Sequence, residues 1–158
     1  MAYDINVSGN GGVTMPHAPL FVPVNTENQQ LGMDSGSAGV QSWIDNGLSP
    51  AKIVFGLPFY GYAYELENPR NRGILAPIFG RDNGVLFGAS GSYDRIRTFI
   101  EQQDAVHQYD ENYVADYCYD DQVWICYDDK RLPTVSFFSV IALGEGKREG
   151  RKGVRCTW

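Results

Sequence analysis

Most side chains of this 158-residue chain that could do acid–base chemistry are carboxylates, with 19 Asp and Glu residues against two histidines. The most conspicuous are the pairs Asp120-Asp121 and Asp128-Asp129. Each pair falls at a predicted turn or strand end, where Asp is common for conformational reasons, so each alone is interpreted as structural. His17 and His107 lack the sequence context of a triad base. We expect both to be solvated or locally hydrogen-bonded.

Motifs for phosphate binding or nucleophilic catalysis are absent from the sequence, which contains no GxxxxGK, GxGxxG or GxSxG. Its three cysteines, Cys118, Cys126 and Cys156, form no CxxC or Cys/His cluster. The sequence therefore predicts neither a zinc site nor a disulfide framework, and free thiols are expected. No metal or organic cofactor is indicated.

Charge and composition exclude several classes of partner. Thirteen basic and 19 acidic residues give a net charge of −6 and a pI near 4.8, which argues against nucleic acid and anionic membranes. The longest apolar run, residues 135–143, is shorter than the roughly 20 residues of a membrane helix. The opening MAYDIN has an acid where a signal peptide has bases, so no signal peptide is predicted. An aromatic content of 13% suits β structure and surfaces that stack on sugar rings.

The elements in the first 61 residues are typical of an α/β protein. Residues 1–7 alternate like a strand, so we expect the chain to begin inside a larger fold. A long loop is predicted over 16–36, followed by a helix over 37–46 with Ser35 or Ser37 as N-cap and Gly47 as the stop. Residues 52–60 are apolar and β-branched, which predicts a strand buried on both faces, as in a parallel sheet.

The second half has a different pattern. Ser92 is predicted to cap a helix, and three short strands follow at 106–109, 113–119 and 123–127. The last two strands are expected to form a hairpin across Asp120-Asp121, which would place Cys118 opposite Val123. Cys126 would then face Ala115, so the two sulfurs would not be cross-strand partners. Residues 144–153, GEGKREGRKG, are predicted to be a disordered basic tail.

Three motifs in this order resemble family 18 glycoside hydrolases, specifically the plant class V chitinases and their chitinase-like lectin relatives. Residues 1–4, MAYD, match a Met-x-Tyr-Asp motif at the end of the sixth barrel strand. Residues 56–61, GLPFYG, match the seventh-strand pattern GxPxYG. Residues 124–129, WICYDD, are similar to the hairpin that closes an insertion domain, with Cys126 where glycine is usual.

This resemblance implies an α/β fold class: an incomplete (β/α)₈ TIM-barrel fragment that carries an α+β chitinase insertion domain. A complete barrel needs about 250 residues. The implied division is a barrel remnant at 1–61, the insertion domain at 62–129 and a divergent basic tail at 130–158. An open strand edge in the remnant would favour self-association or a partner, and the insertion domain is expected to order first.

The function implied is binding of chitin or N-acetylglucosamine oligosaccharides. In this family the substrate's acetamide oxygen attacks the anomeric carbon while a glutamic acid protonates the leaving oxygen, an exception to the usual two-carboxylate scheme. That glutamate ends a DGxDxDxE motif, which the 158 residues do not contain. We therefore assign no catalytic residue and expect the chain alone to be inactive. The alternatives are a lectin-like binding module and a truncated product with no independent function.

The resemblance also assigns substrate-binding residues. Tyr3 would donate its hydroxyl to the substrate acetamide, Asp4 would hydrogen-bond in the same subsite, and Met1 would pack against the sugar. Tyr62 and Tyr64 would lie at the rim of the cleft. Each could stack on a sugar or pack within the protein, and the sequence favours neither role. The parent family is extracellular. Trp124 is expected to anchor the hairpin, since it lies in the WICYDD segment.

Overall fold

The computed structural model describes residues 1–7, 12–82, 84–86, 88 and 90–129, and the elements below lie within these ranges. The helices are α1 (Thr26–Gln30), α2 (Gly36–Asp45) and α3 (Tyr93–Gln103), with a 3₁₀ turn at Pro50–Lys52. The strands are β1 (Tyr60–Leu66), β2 (Ile78–Arg81), β3 (Ser90–Ser92), β4 (Val106–Asp110), β5 (Ala115–Asp120) and β6 (Val123–Tyr127).

The strands form one antiparallel sheet in the order β2-β1-β6-β5-β4, and β3 also pairs with β1. Both helices and strands are present, which agrees with the predicted α/β class. The parallel pairing that the sequence indicated for residues 52–60 is not found, because every described strand pair is antiparallel. All the described strands lie between residues 60 and 127.

The predicted buried strand over 52–60 is wrong. Residues 53–59 have no regular structure, β1 begins only at Tyr60, and the side chains of Val54 and Phe59 are 91% and 71% exposed. The apolar composition suits a strand covered on both faces, but a strand also needs neighbours for its backbone hydrogen bonds. No described strand pairs with this segment. One backbone contact reaches it from the N-terminus, from the Ala2 nitrogen to the Gly56 oxygen at 3.4 Å.

The predicted strand over 1–7 is also wrong. Asp4 has a φ of 59°, which breaks an extended backbone, and Asp is one of the few residues that adopt this conformation readily. The Ile5 nitrogen donates to the His17 oxygen at 2.9 Å and holds the bent segment in place. The loop predicted over 16–36 contains the short helix α1, which Asn25 caps by accepting from the Asn28 nitrogen at 2.8 Å.

Both predicted helices are present. Ser35 is the N-cap of α2, and its hydroxyl accepts from the Ala38 nitrogen at 3.3 Å. Helix α3 begins after Ser92 as predicted and buries Ile96, but the Ser92 side chain makes no capping hydrogen bond. The predicted tail, including Cys156, lies outside the described residues.

The predicted hairpin is present, but its turn lies one residue later than expected. Asp120 pairs with Val123, so Asp121 and Gln122 form the turn, and Asp121 takes a left-handed φ of 45°. This places Cys118 opposite Ile125 and Cys126 opposite Tyr117, not opposite Val123 and Ala115. The expectation that these two cysteines are free is confirmed.

The sheet has a core on each face. Helix α3 covers one face, where the buried cluster is Ala63, Leu86, Ile96, Cys118, Ile125 and Tyr127. The other face buries Tyr64, Leu66, Ala76, Ile78, Trp124 and Cys126. Trp124 is fully buried, stacks on Tyr117 at 5.2 Å between ring centroids, and donates from Nε1 to the Arg72 oxygen at 3.0 Å. These contacts fit an anchor for the hairpin.

Gly61 permits the close approach of β1 to both β6 and α3. A Cβ atom at this position would lie 2.1 Å from the Cys126 oxygen and 2.8 Å from Cδ1 of Ile96. The first neighbour is backbone and cannot rotate away. Any side chain at position 61 would therefore push β1 and β6 apart.

We predict that Gly61→Ala lowers the free energy of unfolding by about 1–3 kcal/mol, the usual cost of overpacking. Gly39→Ala is the matched control, since a Cβ there meets nothing within 4 Å in the middle of α2. That substitution should stabilise the chain by about 0.5–1 kcal/mol. Urea unfolding followed by circular dichroism measures both, and equal stability of the two variants would contradict the packing described here.

Candidate functional site

The centre of the candidate site is the carboxylate of Asp4. Its Oδ1 atom accepts a hydrogen bond from the Tyr60 hydroxyl at 2.7 Å and from the Tyr62 hydroxyl at 2.9 Å. Both bonds from described residues fall on Oδ1, so Oδ2 can accept from a ligand. The left-handed backbone at Asp4 accompanies this arrangement, and such conformations cluster at ligand sites.

Strand β1 positions the two tyrosines. Residues i and i+2 of a strand lie on one face, so Tyr60 and Tyr62 project together, with ring centroids 5.9 Å apart. Tyr62 pairs with Cys126 of β6, which fixes this part of β1 in the sheet. The two phenols therefore reach Asp4 from a rigid element.

His17 lies beneath these rings. Its side chain is 1% exposed, and its ring centroid lies 5.3 Å from that of Tyr60 and 5.4 Å from that of Tyr62. Nδ1 lies 3.5 Å from Sγ of Cys126, whereas Nε2 is buried and has no hydrogen-bond partner among the described residues. The imidazole thus packs the inner wall of the site, and the expectation that His17 is solvated or bonded locally is wrong.

Burial favours the uncharged forms of the His17 imidazole and of the Tyr60 and Tyr62 phenols. It lowers the pKa of His17 to about 4, and the nearby Asp4 opposes this shift only in part. Burial, followed by the hydrogen bond to Asp4, raises the pKa of both Tyr60 and Tyr62. At neutral pH the site therefore combines a neutral imidazole, two phenol donors and a carboxylate acceptor.

Three of the four predicted site residues come together. Tyr3 meets Tyr60 edge-on, with 6.0 Å between ring centroids, next to Asp4 and Tyr62. Met1 is 94% exposed and lines a separate cavity of about 370 Å³ between α2 and residues 52–56. Tyr64 is fully buried, so the packing alternative holds for that residue.

Sequence reasoning missed three members of this cluster. Tyr60 entered only as part of the GLPFYG motif, although its spacing from Tyr62 is a usable signal for a shared strand face. His17 carries no such signal, because its partner Cys126 is 109 residues away. Arg81 was also missed, and its guanidinium carbon lies 5.0 Å from the Tyr62 ring centroid.

A second group of acidic residues lies near the end of β6. Asp116 is buried, and its Oδ1 atom lies at hydrogen-bond distance, 2.8 Å, from Nε2 of His107. Burial raises the pKa of Asp116. Burial, followed by the charge of Asp116, raises the pKa of Asp128 to about 8. Asp129 accepts from the Tyr93 hydroxyl at 2.6 Å. The hydrogen bond from Tyr93 supports the structural interpretation of Asp129.

In the part of the chain that the structure describes, no group of three or more His, Cys, Asp or Glu residues is arranged to hold a metal ion. None of the helices there has the length and apolar character to cross a membrane.

The chain is similar to known proteins over most of its length. The family model for glycosyl hydrolases family 18 matches residues 1–140. A class V chitinase of Arabidopsis thaliana is 41% identical over 133 residues, which cover 83% of this chain and 32% of the relative. Nod factor hydrolase protein 1 of Medicago truncatula is 34% identical over 146 residues, which cover 91% of this chain and 35% of the relative. The chain thus spans about a third of the length of these two relatives.

Solved structures give the same result. The class V chitinase from Nicotiana tobaccum matches with a TM-score of 0.78 and 38% identity, over 91% of this chain and 40% of that one. The chitinase-like agglutinin from Robinia pseudoacacia matches with a TM-score of 0.73 and 28% identity, over 91% and 38%. Since the family model covers most of the sequence, this chain belongs to glycosyl hydrolases family 18, and it is similar to the plant class V chitinases of that family.

Proposed function

We propose that this chain carries a binding site for chitin or N-acetylglucosamine oligosaccharides, and that the chain alone does not hydrolyse them. The observation that carries the proposal is the Asp4 carboxylate held by the hydroxyls of Tyr60 and Tyr62. In support, a mutant of the tobacco class V chitinase has been solved in complex with NAG4.

The arrangement suits an N-acetylated sugar. Oδ2 of Asp4 can accept from an N–H or a hydroxyl, and the Tyr3 hydroxyl would donate to the acetamide oxygen, as the family resemblance implies. The rings of Tyr3 and Tyr60 add apolar surface of the kind on which sugars stack. We place the substrate-binding residues Tyr3, Asp4 and Tyr62 in this one subsite.

Met1 has a different position in the proposal. Its side chain lines the cavity beside α2 as well as being exposed, so it would pack against a sugar only at the edge of the subsite.

Absence of hydrolysis follows from the chemistry of the groups present. General acid catalysis contributes roughly 10²- to 10⁴-fold to such reactions, and the DGxDxDxE motif that supplies the acid in this family is not in the 158 residues. Asp4 accepts hydrogen bonds from the hydroxyls of Tyr60 and Tyr62, which is not the role of a proton donor. Binding without turnover is therefore the expected behaviour.

A lectin-like module is the second candidate function. It is favoured by the fold shared with the chitinase-like agglutinin, which has 28% identity and a TM-score of 0.73. Such a module would use the same Asp4 subsite. The chitinase fragment and the lectin-like module therefore bind the same sugars, and they differ only in whether the complete protein would hydrolyse them.

The wider architecture belongs to the same proposal. We assign residues 1–61 to a fragment of a (β/α)₈ barrel and residues 62–129 to the insertion domain, with an extracellular setting as in the parent family. The side chains of Val54 and Phe59 are exposed, although both are apolar. This supports the proposal that another segment covers residues 53–59 in the complete fold, supplied by a second copy of the chain or by another part of the barrel.

We predict that Tyr62→Phe weakens binding of an N-acetylglucosamine tetramer about tenfold, because Asp4 loses one of its two donors; this corresponds to ~1.4 kcal/mol. Tyr64→Phe is the matched control, since Tyr64 lies in the core and away from Asp4. Calorimetric titration of both variants and the wild type measures the effect.

The wild type and the two variants also test the proposed absence of hydrolysis, because none of them should release reducing sugar from the tetramer. Equal affinities of the two variants would contradict the assigned subsite. Turnover by the wild type would show that another carboxylate supplies the proton.

A pH dependence follows from the burial of His17, whose pKa falls from 6.5 to about 4 on folding. Between these values the unfolded chain binds a proton that the folded chain excludes, so stability rises with pH. The neutral His17 contributes fully to the free energy of unfolding above pH 6.5. As the pH falls to 4, this free energy decreases by about 3 kcal/mol.

We therefore expect His17→Gln to lose less stability than the wild type between pH 6.5 and 4, measured by urea unfolding. The raised pKa of Asp128 acts in the opposite direction, but it is common to both chains and cancels in the comparison. An unchanged pH dependence in the His17 variant would show that this imidazole is protonated in the folded chain.

A further inference from the structure

The side chain of Asn6 holds the segment that carries Asp4 against the start of helix α2. Asn6 is 6% exposed and makes two hydrogen bonds with the backbone of one residue, Asp34. Its Nδ2 atom donates to the Asp34 oxygen at 2.8 Å, and its Oδ1 atom accepts from the Asp34 nitrogen at 3.0 Å. The amide supplies both the donor and the acceptor of this contact, which a carboxylate or an aliphatic side chain cannot do.

Asp34 is itself held in place by the start of the helix. It directly precedes Ser35, the N-cap of α2, and its Oδ1 atom accepts from the Ser35 nitrogen at 2.7 Å. The Gly36 nitrogen donates to the Pro19 oxygen at 2.9 Å, which joins the helix start to the loop that follows His17. Asn6 is therefore bonded to a part of the chain that has its own hydrogen bonds.

Two contacts immediately after Asp4 fix the path of its backbone. The Ile5 nitrogen donates to the His17 oxygen at 2.9 Å, and the Asn6 side chain is bonded to Asp34. Asp4 has a left-handed φ of 59°, so the chain turns sharply at this residue. The direction of the Asp4 carboxylate therefore depends on where the next two residues are held.

We propose that Asn6 is a positioning residue for sugar binding and that it acts through Asp4. By holding the chain on helix α2, Asn6 keeps the Asp4 carboxylate within reach of the two tyrosine hydroxyls that donate to its Oδ1 atom. The Oδ2 atom is then presented to an N–H or a hydroxyl of the sugar. This inference rests on the proposed function, and it adds a residue that does not itself touch the ligand.

Asn28 offers a matched control, because it is a second buried asparagine with two side-chain hydrogen bonds. It is 2% exposed, its Nδ2 atom donates to the Pro23 oxygen at 2.7 Å, and its Oδ1 atom accepts from the Tyr113 hydroxyl at 3.0 Å. Pro23 and Tyr113 are not residues of the candidate site. Asn28→Ala and Asn6→Ala should therefore destabilise the chain to a similar extent in urea unfolding.

The first test uses NMR of the full chain with ¹³C-labelled tyrosine rings and without sugar. Asn6→Ala should displace the resonances of Tyr60 and Tyr62 toward the positions that they take in Asp4→Ala, which lacks the acceptor. Asn28→Ala should leave both resonances at their wild-type positions.

A second variant keeps the test decisive if Asn6→Ala does not fold. Asn6→Asp preserves the shape of the side chain and the acceptor for the Asp34 nitrogen, but its carboxylate cannot donate to the Asp34 oxygen. It should displace the resonances of Tyr60 and Tyr62 in the same direction by a smaller amount.

The second test is calorimetric titration with an N-acetylglucosamine tetramer. Asn6→Ala should weaken binding about three- to tenfold, the effect of one lost hydrogen bond, whereas Asn28→Ala should bind like the wild type. Displaced tyrosine resonances with wild-type affinity would overturn the inference, because Asn6 would then hold Asp4 without affecting the sugar.

Other outcomes separate this inference from the proposed function. Wild-type positions of the Tyr60 and Tyr62 resonances in both Asn6 variants would overturn the inference, and so would an equal displacement in Asn28→Ala, which would reflect general loosening. If the wild type does not bind the tetramer, the proposed function fails, and the resonances alone then decide whether Asn6 positions Asp4.

Discussion

The pairing of β1 with β6 is the constraint on which the rest of the structure depends. Gly61 lies opposite Tyr127 and Tyr62 opposite Cys126. In this register β1 turns Ala63 toward α3 and presents Tyr60 and Tyr62 on the face that meets Asp4. A shift by one residue would exchange the two faces, and the bare Cα of Gly61 is what allows the backbones to approach. The core and the candidate site are thus set by the same ladder.

The Asp4 contacts join parts of the chain that are far apart in sequence, since 56 residues separate Asp4 from Tyr60 and 58 separate it from Tyr62. Residues 1–7 have no strand pairing among the described residues, so side-chain and loop contacts hold them on the sheet. His17 strengthens this attachment, because it packs against both tyrosines and its oxygen accepts from the Ile5 nitrogen. The segment that carries Asp4 is therefore fixed by the groups that form the candidate site.

Local features of this fold could be predicted from the sequence, whereas features that depend on distant neighbours could not. The Ser35 cap and the hairpin near Asp121 are encoded within a few residues. Even there, the turn lies one residue later than predicted, with Asp121 in a left-handed conformation. The apolar run over 52–60 indicated burial on two faces, but composition does not show whether a pairing strand is present. Likewise Tyr3, Asp4 and Tyr62 could be placed by motif, while His17 is a site residue only because folding brings Cys126 to it.

Binding of an N-acetylglucosamine oligomer at the Asp4 subsite can be observed by NMR of the full chain with ¹³C-labelled tyrosine rings, as an N-acetylglucosamine tetramer is added. We expect the resonances of Tyr3, Tyr60 and Tyr62 to shift and saturate, while those of Tyr64 and Tyr117, which pack against Trp124, stay in place. Shifts confined to the Trp124 cluster, or no shifts at any tyrosine, would contradict it.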